Sequence, residues 1–441
     1  LTFLALPTMF EQLLSTLMQY VDTAMVGKLG PDATAAVSTT TTVSWLVNSL
    51  SAAVGVAMMT LIAVGVGARD THKVKQISVQ TLILACVIGG LITLASVGLS
   101  PFIPAWMGID ASIQPEATRY FMIISFPMVF RSFTIVLGSA LRAVHDTKSP
   151  MRINLISNGL NVVFNYILIY VCNLQVTGAA IATAISTVVA GVWTLIVFLK
   201  KDELKFSIQD VKINGQILKE GAIIGLPVLA TNFTSCLGYV VFASMITGLG
   251  KVIFAAHSIA VTAEEIFYIP GYGLRTATQT LVGNSVGEQN EEKFKSVSRV
   301  SVAITVGMMC LSGLILYLVA HPLMMVFTNS EEVAQIGAGV LRMVAFSEPF
   351  FGLLIVIEGI YYGLGKTRLP FIIETGSMWI VRIFMTYLCV NFWGLGLTAV
   401  WYCMIADNVF KALVFIVSSP GTFKRVRKEM RNNSQIGVKE N

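Results

Sequence analysis

Val66-Gly67-Ala68-Arg69-Asp70-Thr71-His72-Lys73-Val74-Lys75 recurs in outline 220 residues later as Val286-Gly287-Glu288-Gln289-Asn290-Glu291-Glu292-Lys293-Phe294-Lys295. The same offset sets Leu6-Pro7 on Leu226-Pro227, Leu29-Gly30 on Leu249-Gly250 and Ala35-Ala36 on Ala255-Ala256. It also sets Thr147-Lys148-Ser149-Pro150 on Thr367-Arg368-Leu369-Pro370. One gapless offset held over this distance is the mark of a duplicated unit. Between the shared signals lie long apolar runs. Twelve of them read as helices, at 3–26, 35–64, 77–100, 118–143, 151–171, 178–199, 218–247, 252–281, 297–320, 334–364, 370–391 and 395–418. Six helices per unit is an even number, so the second unit re-enters the membrane in the orientation of the first. The predicted fold is an all-α polytopic membrane protein. Its two parallel six-helix repeats are related by a pseudo-two-fold axis along the membrane normal.

Composition points the same way. Of 441 residues, 55% are hydrophobic and only 12% are Asp, Glu, Lys or Arg, and the mean hydropathy is +0.75. A soluble core cannot absorb that much apolar side chain, whereas twelve spans of about 20 residues can. The six cysteines (86, 172, 236, 310, 389 and 403) form no CxxC pair, which argues against a zinc or disulfide scaffold. The opening run has no polar leader or cleavage site, so it reads as a membrane helix entered partway, with a native N-terminal segment expected before Leu1. The net charge of +6 carries no aromatic stripe or recognition helix, so nucleic acid is not an expected partner.

The basic residues read instead as topology signals. Loops after the even-numbered helices, with the C-terminal tail, hold 22 Lys and Arg; the opposite loops hold 3, Lys28, Arg119 and Lys251. Positive charge stays on the cytoplasmic side. Both termini are therefore expected in the cytoplasm, with the protein in the inner or plasma membrane. The expected domains are an N-lobe (1–200), a cytoplasmic linker (201–217), a C-lobe (218–419) and a basic tail (420–441). A cleft between two such lobes is a natural substrate path.

Charged groups inside spans are costly unless they meet a partner, water or a transported ion. Asp22, in Gln19-Tyr20-Val21-Asp22-Thr23, is the sharpest candidate; Glu11 lies about three turns earlier. A carboxylate there can hold Na⁺ directly or carry a proton. The fifth helix places Asn154, Asn158, Asn161 and Asn165 on one face, an amide stripe suited to cations or to interhelical packing. In the second half, Glu264, Glu265, Glu348, Glu358, Glu374 and Asp407 fall within spans, as do Arg275, Arg342, Arg382, Lys411 and His257. Glu358 with Glu264 or Glu265 is the expected C-lobe site. Arg342 or Arg382 would be the neutralising alternative for Glu358, and Glu374 would pair with Arg382. Asp407 and Lys411 form an i,i+4 pair. Tyr20, Phe164 and His257 are candidate cavity residues. Pro7, Pro127, Pro227 and Pro349 interrupt spans and allow bends. There is no Walker A loop, Rossmann fingerprint or HExxH, so neither ATP-driven transport nor enzymatic chemistry is expected. No cofactor is implied beyond Na⁺ or H⁺ as coupling ion.

The chain resembles the multidrug and toxic compound extrusion (MATE) family over nearly its whole length. The resemblance rests on Leu6-Pro7, Val21-Asp22-Thr23-Ala24-Met25-Val26-Gly27, Asn161-Val162-Val163-Phe164-Asn165-Tyr166 and Gly178-Ala179-Ala180-Ile181-Ala182-Thr183-Ala184. The second half adds Ile269-Pro270-Gly271, Leu281-Val282-Gly283-Asn284-Ser285-Val286-Gly287 and Glu358-Gly359. The resemblance implies export of organic cations and drugs in exchange for Na⁺ or H⁺, by a monomer in contact with membrane lipids. It implies that Asp22 is a coupling residue and that Asn161 belongs to its site. Many members carry an acid where this chain has Asn165, which is closer to the NorM-like variant. No acid stands between Ile223 and Thr247, where some members have one. The alternatives are a flippase for lipid-linked precursors, of the same superfamily, and a membrane channel.

Overall fold

A computed structural model describes residues 1–108, 110–207 and 211–439, with side chains except at 31, 32, 35, 38–42 and 433–439. Among the described residues every regular element is helical. In the first half these are α1 Thr2–Gly27, α2 Pro31–Gly67, α3 Thr71–Leu99, α4 Gln114–Ser125 with Met128–Ala143, α5 Lys148–Val171 and α6 Gln175–Lys200. In the second they are α7 Gly215–Thr247, α8 Lys251–Gly287, α9 Glu291–Phe327, α10 Glu331–Gly363, α11 Arg368–Phe392 and α12 Leu397–Lys439. Ten are long and apolar enough to cross a membrane, and α4 makes eleven when its bent halves are taken as one span. The remaining one, α1, is the helix that carries Glu11, Gln12, Gln19 and Asp22.

The repeat extends to the helix ends. Gly30 before α2 and Gly250 before α8 have φ of 117° and 114°, a region that favours glycine. The Asp70 and Asn290 side chains cap α3 and α9, each accepting from a lysine backbone N–H three residues on at 2.9 Å. Side-chain caps of this kind satisfy donors that the first helical turn leaves open. The two halves thus share start signals as well as apolar periodicity.

Several elements depart from the expected outlines. α8 and α9 have 37 residues each, roughly 55 Å at 1.5 Å per residue, against a hydrocarbon core of about 30 Å. Their polar ends continue as helix beyond the apolar stretch that marks the span. Pro127 lacks an N–H for the helical ladder, and α4 bends there by 52°. Pro7 and Pro227 stay within continuous helices, and Pro349 opens a new α-helical turn after a 3₁₀ segment at Ala345–Ser347. Wider π-type turns occupy Tyr166–Val171 in α5 and Met378–Phe384 in α11.

Two compact units are formed by residues 6–229 and by 230–441 with 1–5, so the division falls inside α7. The first unit is centred on Ile62, Ile77, Leu137, Leu141 and Phe198, all fully buried. Part of the sequence expected as a linker packs into this core, since Leu204 is fully buried there. The Gln80 amide also donates to the Lys212 carbonyl at 2.6 Å. Residues 208–210 of that linker, and 440–441 of the tail, lie outside the described residues. The second unit is centred on Leu316, Leu341, Val344 and Trp401. Its basic tail continues α12 as helix: Val426 and Met430 are buried beside Phe294 and Ile360, and Arg431 bonds Glu291 at 2.8 Å. Large apolar side chains such as Leu94, Phe126, Phe392 and Val417 stand exposed, the surface expected where lipid is the solvent.

Candidate functional site

α1 and α5 meet along a polar seam with one register. Asn154 Nδ2 donates to Glu11 Oε1 at 2.5 Å, Asn158 Nδ2 to Ser15 Oγ at 3.3 Å, and Asn165 Nδ2 to Asp22 Oδ1. Each pair is 143 residues apart, as two helices running in the same direction require. The asparagine stripe of α5 therefore faces the acids of α1. It does so in a lipid-surrounded bundle, where interhelical polar contacts replace the missing hydrophobic drive.

At one end of the seam lies the Asp22 site. Asn165 is fully buried and also donates to Asn161 Oδ1 at 3.1 Å, while Asn161 Nδ2 donates to Thr183 Oγ1 on α6 at 3.3 Å. The chain Thr183–Asn161–Asn165 fixes the amide that faces the carboxylate. Tyr120 of α4, buried, lies within electrostatic reach of Asp22. Tyr170 of α5 donates to the Met25 carbonyl at 2.9 Å, one turn beyond Asp22. Asn165 Oδ1 is buried and has no hydrogen-bond partner. The site thus offers one carboxylate and unfilled amide oxygen, and an aspartate at 165 would have added a second negative charge. Tyr20 and Phe164 are both half-buried, on the same two helices.

Glu11 marks a second station on the seam. It is buried, accepts from Arg142 Nη2 at 2.7 Å, and leaves its Oε2 without a partner. The 220-residue offset carries Asp22 and Asn165 to Phe242 and Met385, both apolar. The Asp22 arrangement is therefore not duplicated.

The second unit builds its polar interior from other residues. Arg275 Nη1 bonds Glu358 Oε2 at 2.9 Å, and the Tyr362 hydroxyl donates to Glu358 Oε1. Arg275 thus takes the neutralising role for which the sequence offered Arg342 or Arg382 as the alternative to an ion site. The Arg275 guanidinium also stands over the Tyr272 ring at 5.2 Å. Lys411 bridges Glu374 and Asp407 at 3.0 Å each, and Arg382 bonds Asp407 at 2.9 Å. Glu374 thus takes Lys411 in place of Arg382, while the i,i+4 pairing of Asp407 with Lys411 is as expected. The sequence could not decide these partners, because periodicity gives a residue's face and not the helix opposite it.

Glu264 and Glu265 separate as neighbours on a helix must: Glu264 is buried and Glu265 exposed. Glu264 accepts from the Tyr268 hydroxyl and lies within electrostatic reach of Glu348 on α10. Glu348 is fully buried, and neither of its carboxylate oxygens has a partner. The three bases Arg275, Arg382 and Lys411 serve Glu358, Asp407 and Glu374. That leaves Glu264 and Glu348 as the buried span acids of the second unit with no ion-pair partner among the described residues; the exposed Glu265 has none either. In the sequence Glu348 is marked only by the Ser347-Glu348-Pro349 break. His257 packs edge-on between Phe242 and Trp401, at 5.8 and 5.7 Å, within the core.

Comparison with known proteins agrees with this architecture. The MatE family profile matches twice, at residues 7–167 and 227–388, one match to each repeat. A protein of Thermotoga maritima called "Probable multidrug resistance protein NorM" is 28% identical over 424 residues, covering 94% of this chain and 91% of its own length. A namesake from Halalkalibacterium halodurans is 24% identical, with 91% and 89% covered. Among solved structures, one titled "Outward-facing conformation of a multidrug resistance MATE family transporter of the MOP superfamily" superposes with a TM-score of 0.92 at 24% identity. It covers 97% of this chain and 96% of that one. A MOP superfamily transporter from Pyrococcus furiosus, whose title reports a binding pocket of reverse polarity, superposes equally well at 24% identity. Two family matches, one per half, on a twelve-helix frame show that the chain belongs to the MatE family of MATE membrane transporters.

Proposed function

We propose that this chain exports drugs and organic cations by antiport against Na⁺ or H⁺, with Asp22 as the coupling carboxylate. The observation that carries the reading is the Asp22–Asn165–Asn161 arrangement inside the first unit. A carboxylate removed from water demands a compensating charge. Here its hydrogen-bond donor is a neutral amide and no base bonds it among the described residues. A Na⁺, a proton or a cationic drug can each supply that charge, and a site with one negative charge balances one of them at a time. Competition for the carboxylate makes exchange obligatory. The names of the NorM relatives support multidrug efflux as the direction and substrate class.

A second station fits Glu264 and Glu348, the buried acids that no base meets in a direct ion pair among the described residues. The Lys/Arg bias of the loops supports both termini in the cytoplasm, with the protein in the inner or plasma membrane. Efflux of a lipophilic cationic dye from vesicles under separately imposed Na⁺ and H⁺ gradients tests the function. Dye movement driven by either gradient supports antiport. Movement with equal speed in the absence of any gradient, saturating only at equilibration, would indicate a channel.

A further inference from the structure

An apolar groove of about 590 Å³ is bounded by α4 and α6. Met122, Phe126 and Pro127 line one wall, and Ala184, Ile185 and Val188 line the other. It sits in the hollow where α4 bends at Pro127. Nine of the ten lining residues are apolar and the tenth is Arg119. Arg119 is exposed and forms no ion pair among the described residues, while its neighbour Tyr120 is buried toward Asp22.

Depth gives the groove a chemical gradient. Arg119 is five residues into α4, roughly 8 Å along it, which is headgroup depth when the bilayer begins at the start of α4. Pro127 lies about 12 Å further along, in hydrocarbon. A cation at headgroup depth above an apolar channel matches one molecule, a phospholipid with its phosphate at the guanidinium and one acyl chain below. Arg presents a fork of donors suited to phosphate oxygens. The same charge repels a cationic transport substrate, so the groove is not a branch of the export path. We propose that the α4–α6 groove is a binding site for a single anionic phospholipid, with Arg119 as its phosphate ligand.

Native mass spectrometry of the detergent-purified protein titrated with dioleoylphosphatidylglycerol or dioleoylglycerol tests this. The two probes share acyl chains and differ in the phosphate. The wild type should hold one phosphatidylglycerol about five- to tenfold more tightly than the diacylglycerol. Arg119→Gln should erase that preference while leaving diacylglycerol binding unchanged. Ala184→Trp should block both lipids, and Val188→Trp provides an independent filling variant if that protein folds poorly. The cationic dye should not displace the lipid. Equal affinity for the two lipids, an unchanged preference in Arg119→Gln, or displacement by the dye would each overturn the assignment.

Discussion

Removing Glu11 alone should destabilise the first unit more than removing Glu11 and Arg142 together. The two side chains are 7% and 15% exposed, and their oxygen and nitrogen are 2.7 Å apart. Asn154 donates to the same carboxylate oxygen at 2.5 Å. Glu11→Gln keeps the volume but removes the carboxylate charge that balances the largely buried guanidinium of Arg142. Breaking a buried pair on one side costs about 3–5 kcal/mol, whereas replacing both partners is often close to neutral. For a unit of 150–250 residues, 1 kcal/mol corresponds to roughly 2–4 °C in Tm, so Glu11→Gln should lower the melting temperature by about 6–20 °C. Arg142→Gln should cost a similar amount, and the double variant should recover most of the loss. Melting in one detergent at a fixed scan rate keeps the comparison fair if unfolding is irreversible. Single variants within about 1 °C of wild type, or a double variant whose loss equals the sum, would refute the claim that this pair is a coupled buried unit.

Three further outcomes follow from other contacts. Glu348→Gln should keep the fold, because neither carboxylate oxygen has a partner to lose. It should slow gradient-driven efflux about tenfold, or about 1.4 kcal/mol in the coupled step; dye transport at wild-type speed with wild-type ion dependence would remove the second station. A Cβ at Gly178 would stand 2.8 Å from the Leu168 backbone, so Gly178→Ala must push α6 from α5 and should cost about 1–3 kcal/mol, read as a Tm drop. Burial alone would raise the Asp146 carboxyl in the α4–α5 loop, but the Ser149 N–H and hydroxyl and the Lys201 ammonium outweigh it and hold the group below its ordinary value. A depressed folded value stabilises above the unfolded value of about 3.9 and is lost as pH falls through the folded one. Asp146→Asn should therefore lower Tm at pH 7, with the difference vanishing in a scan carried below that value.

The frame was legible because hydrophobic runs, loop charges and a gapless repeat each report it independently. The contact of Asp22 with the Asn161–Asn165 face has a sequence signal as well, since helical spacing puts the amides on one face and a lone acid in a span stands out. The partners of the second unit were not legible. Glu358 could reach a base on any adjoining helix, and only packing selected Arg275. Lys411 lies four residues from Asp407, so that pair was visible, but its second bond to Glu374 crosses to α11. The proximity of Tyr120 to Asp22 and of Glu348 to Glu264 is hidden for the same reason: the partners are close in space and distant in sequence. The long extensions of α8, α9 and α12 escaped notice because a hydropathy pattern ends where the hydrocarbon does, and the helices do not.

Topology is open to a simple check at the tail. Met430 is buried, so a cysteine at the exposed Arg425, in a background with the six native cysteines replaced by serine, is the better reporter. In sealed cells it should resist an impermeant maleimide until the membrane is opened; prompt labelling from outside would reverse the orientation.

The most direct test of the coupling claim is efflux by Asp22→Asn in vesicles under separate Na⁺ and H⁺ gradients, with folded yield measured in parallel. The substitution removes the charge and nearly preserves the shape beside Asn165. The account predicts normal folded yield and loss of gradient-driven dye efflux under whichever ion drives the wild type. Efflux at the wild-type rate under both gradients would contradict it.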